Sequence, residues 1–398
     1  MEDGIIPIRP QYEISSVVRC LRFEIESGIF QDKLALGKAK LCKALLLGKS
    51  DRFPESIRFW DRSRRVRFSG QILAGISRLT DLISLDLSSS SSCVIHYSTV
   101  DGLSEYYDSV NYVQLRHPSF RTLVGNLSSL RELRLNSVDM SSNLDWGSAL
   151  STSMPRLREL TLSYCNLPGL LPTDILTSHT NLTLLDLSQN PMLSGNLPDF
   201  PSNNALQSLA FPGASLSGNI PYSISNLKHL TTLDISYCGL TGMMPSSIGN
   251  LTQLAYLDLS GHEFAGAVPS WIGNLFWLSV LALYGNNFTG PIPTSIGNLT
   301  HLTSLYLGYN FLSESVPVSL FNHLALESLD LSENQFSGEL KEFSNPSMSL
   351  SQLDLSNNQL QGQIPTSLFK LSDLQYLFLT SNNFNGTVEL DMIINPDE

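Results

Sequence analysis

The sequence predicts an α/β solenoid in which about twelve units of 24 residues stack side by side. Two observations carry this prediction: leucines recur at a constant spacing, and within each copy an outward polar residue separates two inward aliphatic residues. The composition agrees. Charged residues make up only 15 % of the 398 residues, below the roughly 25 % of ordinary soluble domains, so uncharged polar residues must cover the surface.

The register leucine of each unit is the third leucine in the pattern L-x-x-L-x-x-L-x-L. Copies spaced by 24 residues are Leu185, Leu209, Leu233, Leu257, Leu281, Leu305, Leu329, Leu353 and Leu377, and looser copies precede them at Leu85, Leu133 and Leu160. In Leu233-Asp234-Ile235 the alternation puts both aliphatic residues inward, as a short strand requires. Neighbouring units are therefore predicted to pair as parallel strands about 4.8 Å apart, in an extended concave sheet.

A gap of 48 residues separates Leu85 from Leu133. We expect it to contain one eroded copy around residues 112–123, after an irregular insertion at about residues 88–110 that is rich in serine and tyrosine.

Five residues after the register leucine the chain must turn out of the strand. This column holds Asn190, Asn286, Asn310, Asn334, Asn358 and Asn382, with Cys165 and Cys238 in two units and Ala214 and His262 in two others. An inward asparagine can satisfy backbone groups at a buried turn, so a ladder from unit to unit is predicted. We expect the cysteines to be structural, and the ladder to be weak at Ala214 and His262.

Each unit continues with L/F-x-G-x-I/V/L-P, as in Phe288 to Pro293, and closes with S-I-G-N-L, as in Ser295 to Leu299. Glycine permits a tight bend, and proline leaves an extended segment that does not pair further. The return arm is too short for a long helix. It predicts a short 3₁₀ or irregular convex side.

These motifs resemble the plant-type leucine-rich repeat over roughly residues 68–389. Phe68-Ser69-Gly70-Gln71-Ile72, and Leu123 to Leu127 before Leu130-Arg131-Glu132-Leu133, are similar to early repeats of plant receptor-like proteins, the resistance-type immune receptors above all. The resemblance implies an extracellular ligand-sensing solenoid at the plasma membrane, anchored by one transmembrane helix. It also implies a short cytoplasmic tail and signalling through a co-receptor kinase.

The first 70 residues differ from the rest, with a net charge of +5 against −17 for the remainder. We divide the chain into a basic, partly helical or disordered leader at residues 1–65, a solenoid at 66–390 and a tail at 391–398. The resemblance implies a secretory signal, a cysteine-paired cap and a membrane helix, and none is recognisable in this sequence. The sequence-based hypothesis is a receptor-like protein truncated at both ends.

No catalytic, metal or cofactor site is predicted, and we expect the chain not to be an enzyme. There is no phosphate-binding glycine loop and no nucleophile elbow, and His229, His301 and His323 recur at one place in their units for positional reasons. The cysteines, which include Cys20, Cys42 and Cys93, form no C-x-x-C pair and suggest no disulfide framework. The net charge of −12 argues against nucleic acid as a partner.

Acceptor triplets for N-glycosylation favour a secreted glycoprotein, although some follow from the G-N-L-T consensus of the repeat. The acceptors are Asn126, Asn181, Asn250, Asn287, Asn298 and Asn385.

Aromatic side chains replace Asp, Ser and Thr at outward strand positions or strand ends in several units. They are Tyr237, Tyr256, Tyr284, Tyr306, Tyr309, Tyr376 and Phe378. Aromatic residues are enriched at recognition hot spots, so these are the candidate ligand contacts. Tyrosine is also a favourable strand residue that packs across neighbouring strands, and both interpretations stay open.

Three functions are compatible with the sequence. The first is a recognition module in defence or developmental signalling that binds an extracellular protein, peptide or glycan. The second is a secreted inhibitor of polygalacturonase, and the third is a non-functional receptor fragment.

Overall fold

The structure is a computed structural model that describes residues 56–58, 76–88, 113–115 and 119–387, all within the unit Ser50–Glu398. For residues 56–58 and 113–114 it describes the backbone alone. The predictions for Cys20, Cys42 and Cys93, for most of the leader and for the tail fall outside these ranges.

One long parallel sheet runs through the described part of the chain, with 13 strands in sequence order. Its strands are Ser56–Arg58, Ser84–Asp86, Glu132–Arg134, Glu159–Thr161, Leu184–Asp186, Ser208–Ala210, Thr232–Asp234, Tyr256–Asp258, Val280–Ala282, Ser304–Tyr306, Ser328–Asp330, Gln352–Asp354 and Tyr376–Phe378. Each register leucine pairs with the next one, as Leu233 does with Leu257 and Leu257 with Leu281. The predicted register and the leucine-rich-repeat solenoid are confirmed.

The expectation of an eroded copy between Leu85 and Leu133 is wrong. These two leucines face each other in directly paired strands, so no strand of the concave sheet lies between them. The strand Val113–Gln114 and the helix Phe120–Val124 instead belong to the second half of a unit, where Leu115, Phe120 and Leu123 are at most 1 % exposed. Since their apolar side chains already fill that half of the core, the segment has no leucines left to form another register strand.

The strand Ser56–Arg58 pairs with Ser84–Asp86 at the start of the concave sheet. It lies within the segment predicted to be a non-repeat leader, and the proposed division into leader, solenoid and tail stays a prediction.

A second set of parallel strands, not foreseen from the sequence, lies in the L/F-x-G part of the units. These strands are Val113–Gln114, Val138–Asp139, Gly169–Leu170, Leu193–Asn196, Ser215–Ser217, Thr241–Gly242, Glu263–Ala267, Asn287–Gly290, Phe311–Glu314, Gln335–Glu339, Gln359–Gly362 and Asn383–Phe384. The motif glycine adopts the left-handed conformation, with φ of 90° at Gly266 and 76° at Gly290. It therefore bends a segment that still pairs with its neighbours.

The return arms agree with the sequence in part. Predicted 3₁₀ turns occur at Tyr222–Asn226, Ser246–Asn250, Ser270–Asn274, Thr294–Asn298 and Thr366–Lys370. Other units carry short α-helices instead, at Phe120–Val124, Trp146–Ser153, Thr173–Ser178 and Val318–Phe321. The consensus glycine does not decide between the two forms, because Gly125 directly follows the first helix and Gly147 lies inside the second, whereas the 3₁₀ turn Tyr222–Asn226 has no glycine.

The hydrophobic core lies between the concave sheet and the return arms. Register leucines such as Leu233 and Leu281 are 0 % exposed. Behind them, Phe264, Phe288 and Phe336 each contribute a fully buried aromatic side chain. Burial of one such side chain stabilises the fold by about 2 kcal/mol, and a unit achieves this burial only by packing against its neighbours.

The predicted asparagine ladder is present behind the strands. Asn310 donates through Nδ2 to the carbonyl oxygens of Leu283, at 2.9 Å, and Leu307, at 3.1 Å, while its Oδ1 accepts from the Phe288 N–H at 3.1 Å. Asn286, Asn334, Asn358 and Asn382 repeat this arrangement. One side chain per unit thus satisfies buried backbone groups of two units.

The exceptions in this column behave differently from one another. Cys165 and Cys238 are buried free thiols that replace only the donor group of asparagine, each contacting a carbonyl oxygen of the preceding unit at 3.1 Å.

The expectation of a weak ladder at His262 is wrong. Its Nδ1 accepts from the Leu240 N–H at 3.1 Å, and its Nε2 lies 2.7 Å from the Ile235 carbonyl oxygen, so the neutral imidazole spans the donor and acceptor roles of asparagine.

The substitution Asn310→Ala is expected to lower the free energy of unfolding by about 2 to 4 kcal/mol, because it leaves several buried backbone groups without partners. The exposed Asn298→Ala is the control and should change it by less than about 0.5 kcal/mol. Thermal and denaturant unfolding of unglycosylated protein measure both. Equal losses in the two variants would contradict the ladder.

The substitution His262→Asn should make the protein less sensitive to acid. Burial lowers the pKa of His262 from 6.5 to about 4, so the unfolded chain takes up a proton at a pH where the folded chain does not. The wild type therefore loses stability as the pH falls from 6.5 towards 4, and the asparagine variant should be spared about 2 to 3 kcal/mol of that loss. If the free energies of unfolding of the wild type and the variant fall in parallel between pH 7 and pH 4, the pKa of His262 is not lowered by burial.

Candidate functional site

The concave face is built from four outward positions of each unit: those directly before and after the register leucine, and those three and four residues after it. Tyrosines concentrate there between the strands Thr232–Asp234 and Ser304–Tyr306. We call Tyr237, Tyr284 and Tyr309 the tyrosine cluster. Tyr256 and Tyr306 lie on strands of the same stretch of sheet.

The structure brings the members of the tyrosine cluster together across several units. The rings of Tyr284 and Tyr309 lie 5.0 Å apart, centroid to centroid, with an interplanar angle of 54°. Burial raises the pKa of Tyr284, and the neighbouring Tyr309, Tyr237 and Asp330 raise it further. Tyr237 and Tyr309 remain 47 % and 52 % exposed, so the cluster offers ring surface to a ligand.

Tyr237 and Tyr309 both adopt the left-handed backbone conformation, with φ of 53°. They occupy the position four residues after the register leucine, where other units carry Gly213, Gly261 and Gly285, also with positive φ. A non-glycine residue there is disfavoured by about 1 to 2 kcal/mol. This conformation directs the side chain to the rim of the face, and the sequence signal for it is the glycine in the same column of neighbouring units.

The glycines between the tyrosines form the floor of the cluster. A Cβ atom on Gly261 would lie 2.3 Å from Cδ1 of Tyr237, so this glycine makes room for the Tyr237 ring. A Cβ atom on Gly285 would meet only backbone atoms of Gly261, at 3.7 Å. Apart from its chain neighbours, no side chain therefore lies within 4 Å of that position on Gly285.

Carboxylates line the same face one residue after the register leucine. Asp234, Asp258, Asp330 and Asp354 each accept a hydrogen bond from the backbone N–H of the serine two residues later, at 2.9 to 3.1 Å. Burial raises the pKa of Asp234 from 3.8 to about 6, with a smaller contribution from the charge of Asp258. Burial also raises the pKa of Asp258 and Asp330. The hydrogen bonds to serine give these aspartates a role in the turns, and their burial concentrates desolvated charge on one face.

Two further candidates lie apart from the cluster. Tyr376 and Phe378 belong to the last strand of the concave sheet, and two strands separate them from Tyr306. Tyr376 is 57 % exposed and Phe378 is half-buried. The structure places them on the predicted face without joining them to the tyrosine cluster.

Each of the six glycosylation acceptors, from Asn126 to Asn385, is exposed, which is the accessibility that modification requires. Modification itself stays a prediction.

Reactive groups are scarce in the described residues. Burial raises the pKa of Cys165 and Cys238 to about 12, which keeps both thiols protonated and unreactive at neutral pH. His323 is buried and lies 2.9 Å from the Leu299 carbonyl oxygen through Nε2. Within residues 76–88, 113–115 and 119–387 no three His, Cys, Asp or Glu side chains converge as a metal site. No helix in these ranges is long and apolar enough to cross a bilayer.

Family models match two stretches of the chain. A model described as a leucine-rich repeat region matches residues 205–387, and one described as a leucine-rich repeat matches residues 156–177. Among curated proteins, receptor-like protein 6 of Arabidopsis thaliana is 40 % identical over 172 residues. That match covers 43 % of this chain and 15 % of the relative, so the chain corresponds to a small part of the relative's length.

Solved plant receptor ectodomains share the fold. The plant peptide hormone receptor RGFR1, solved in complex with RGF2, is 27 % identical with a TM-score of 0.62, over 79 % of this chain and 50 % of that chain. The Arabidopsis receptor kinase HAESA, solved with the peptide hormone IDA and the co-receptor SERK1, is 28 % identical with a TM-score of 0.58, over 80 % and 56 %.

The close approach of Tyr237 to Gly261 predicts energetic coupling between them. Gly261→Ala should lower the free energy of unfolding by about 2 kcal/mol or more, because alanine disfavours the positive φ and its Cβ displaces the Tyr237 ring. In a Tyr237→Ala background only the backbone penalty remains, so the same change should be milder by about 1 kcal/mol. A double-mutant cycle by denaturant unfolding measures the difference, and strict additivity would show that the ring does not occupy this place.

Proposed function

We propose that this chain, whose leucine-rich repeats are similar to those of plant receptor-like proteins, is an extracellular ligand-recognition module whose concave tyrosine face binds a peptide. The observation that carries the proposal is the tyrosine cluster, in which the rings of Tyr284 and Tyr309 lie 5.0 Å apart and Tyr237 and Tyr309 remain about half exposed. The left-handed position of Tyr237 and Tyr309 does not require a bulky side chain, since Gly285 closes the same turn without strain and Gln189 also occupies it.

The shape of the face suits an extended ligand. The cluster spans the positions of four consecutive units, and Gly261 and Gly285 stand between Tyr237 and Tyr309 in the same column. Tyrosine provides a large, stiff contact surface with a polar tip, which is typical of recognition hot spots. RGFR1 and HAESA were both solved with peptide hormones, and this supports a peptide before a glycan.

We also propose the setting of this module. HAESA was solved with a co-receptor, and by analogy the peptide-bound module would recruit a co-receptor kinase in defence or developmental signalling outside the plasma membrane. The six exposed glycosylation acceptors suit that compartment. Among the described residues the thiols of Cys165 and Cys238 are buried and protonated, and we propose recognition without catalysis.

A secreted polygalacturonase inhibitor is the second candidate, because it uses the same repeat. An enzyme partner would need a broad interface, and peptide binding alone would not require one. Purified chain that lowers polygalacturonase turnover would favour this alternative.

The triple substitution Tyr256→Ala, Tyr284→Ala and Tyr306→Ala is expected to weaken peptide binding at least about tenfold, because it removes central aromatic contacts. The probe is a peptide that the wild-type chain selects from a displayed library of random dodecapeptides. Tyr222→Ala is the control, since Tyr222 is 73 % exposed on a return arm and outside the concave face.

Circular dichroism and thermal unfolding establish that each variant is folded. Undiminished peptide binding by a folded triple variant would remove the concave tyrosines from the proposal.

A further inference from the structure

The concave face is strongly asymmetric in charge. From the strand Leu184–Asp186 to the strand Tyr376–Phe378, its four outward positions per unit include no Lys, Arg or His. The same positions carry Asp186, Asp234, Asp258, Asp330, Glu333 and Asp354. Among described residues, ion pairs join only Arg121 to Asp145 and Arg134 to Glu159, all nearer the N-terminus. The negative charge around the tyrosine cluster is therefore not neutralised by this chain's own described residues.

The aromatic rings and the carboxylates lie on the same stretch of the concave face. Strand pairing places Asp258 next to Ala282, Ala282 next to Tyr306, and Tyr306 next to Asp330. A Cβ atom on Gly308 would lie 2.9 Å from both Asp330 carboxylate oxygens, so this carboxylate lies close over the glycine. Since Tyr237 and Tyr309 are three units apart, the floor between them measures about 14 Å at the strand spacing.

A cation is the group that such a surface holds best. Ring faces attract Arg and Lys through their quadrupoles, and partly desolvated carboxylates gain most from an opposite charge. An anionic or apolar ligand would leave the carboxylates uncompensated in a less polar environment. Charge complementarity thus selects among the peptides that the tyrosines alone would accept.

We propose that the concave face between Tyr237 and Tyr309 binds a basic, extended peptide, with one Arg or Lys side chain over Gly285 beside the tyrosine rings and further basic side chains of the same peptide facing Asp258 and Asp330. This inference rests on the proposed peptide-recognition function and specifies the ligand's chemistry. Neighbouring basic residues of the peptide would lie along the remaining carboxylates of the face.

Fluorescence anisotropy with a labelled nona-arginine peptide tests the charge requirement, with nona-glutamate and a nonamer of alternating glycine and serine as comparison probes. The variant Asp258→Asn with Asp330→Asn keeps an oxygen for the serine N–H but removes two charges. We expect it to weaken nona-arginine binding about tenfold or more. The matched control removes two exposed carboxylates elsewhere, Asp174→Asn with Asp373→Asn, and should change affinity less than about twofold.

The rings are tested separately from the charges. Tyr284→Phe keeps the ring face and should bind nona-arginine within about twofold of the wild type, whereas Tyr284→Ala should bind it at least about fivefold more weakly. Equal weakening by the face and control pairs would mean that net charge alone attracts the probe, and it would overturn the inference. Absence of nona-arginine binding would overturn it as well.

The random dodecapeptide library separates this inference from the proposed function. Selected peptides rich in Arg or Lys, lost with Asp258→Asn and Asp330→Asn, support both. Selected peptides without basic residues whose binding depends on the tyrosines overturn the cationic ligand and leave peptide recognition standing. Selection of no peptide by a folded chain counts against both.

Discussion

Most turns that leave the concave sheet bury backbone N–H and C=O groups out of reach of water, and an inward side chain of the unit satisfies them. Asn310 does this for its own unit and for the one before it, and the same arrangement recurs in every unit from Asn286 to Asn382. This side chain fixes where those strands end, and the backbone hydrogen bonds of the parallel sheet set the spacing between successive strands. The leucine core and both sets of parallel strands depend on that spacing.

Because the inward column takes over the structural role, the outward columns are free to vary. The aspartates still contribute to the turns through their serine partners, yet they crowd desolvated charge onto one face. The tyrosines contribute nothing comparable to the turns, and two of them bear a backbone conformation that glycine adopts more easily. Within each short strand and turn, the inward residues thus stabilise the fold, and the outward residues are available for recognition.

The sequence predicted the fold well in those units whose own residues follow the repeat pattern. Register, strand pairing and the asparagine ladder follow from residue identity at fixed spacing, so they could be deduced one unit at a time. The long unit between Leu85 and Leu133 could not, because the same apolar residues suit a register strand or the second half of a unit. The site was only partly accessible: the sequence placed Tyr284 and Tyr309 on one face, but their ring contact depends on the left-handed turn at Tyr309. His262 was misjudged because imidazole was not expected to imitate an amide.

The left-handed position four residues after the register leucine has an evolutionary consequence. The position is left-handed before Asn190 and before Ala214 alike, so the identity of the left-handed residue can change without moving the backbone. Gly261, Tyr237, Gln189 and Glu333 already illustrate four solutions in one chain. A point mutation at this column would therefore install or remove a contact at a defined spot, and duplication of units would multiply such spots. New specificities could arise by single codon changes at this column, with the hydrophobic core unaltered.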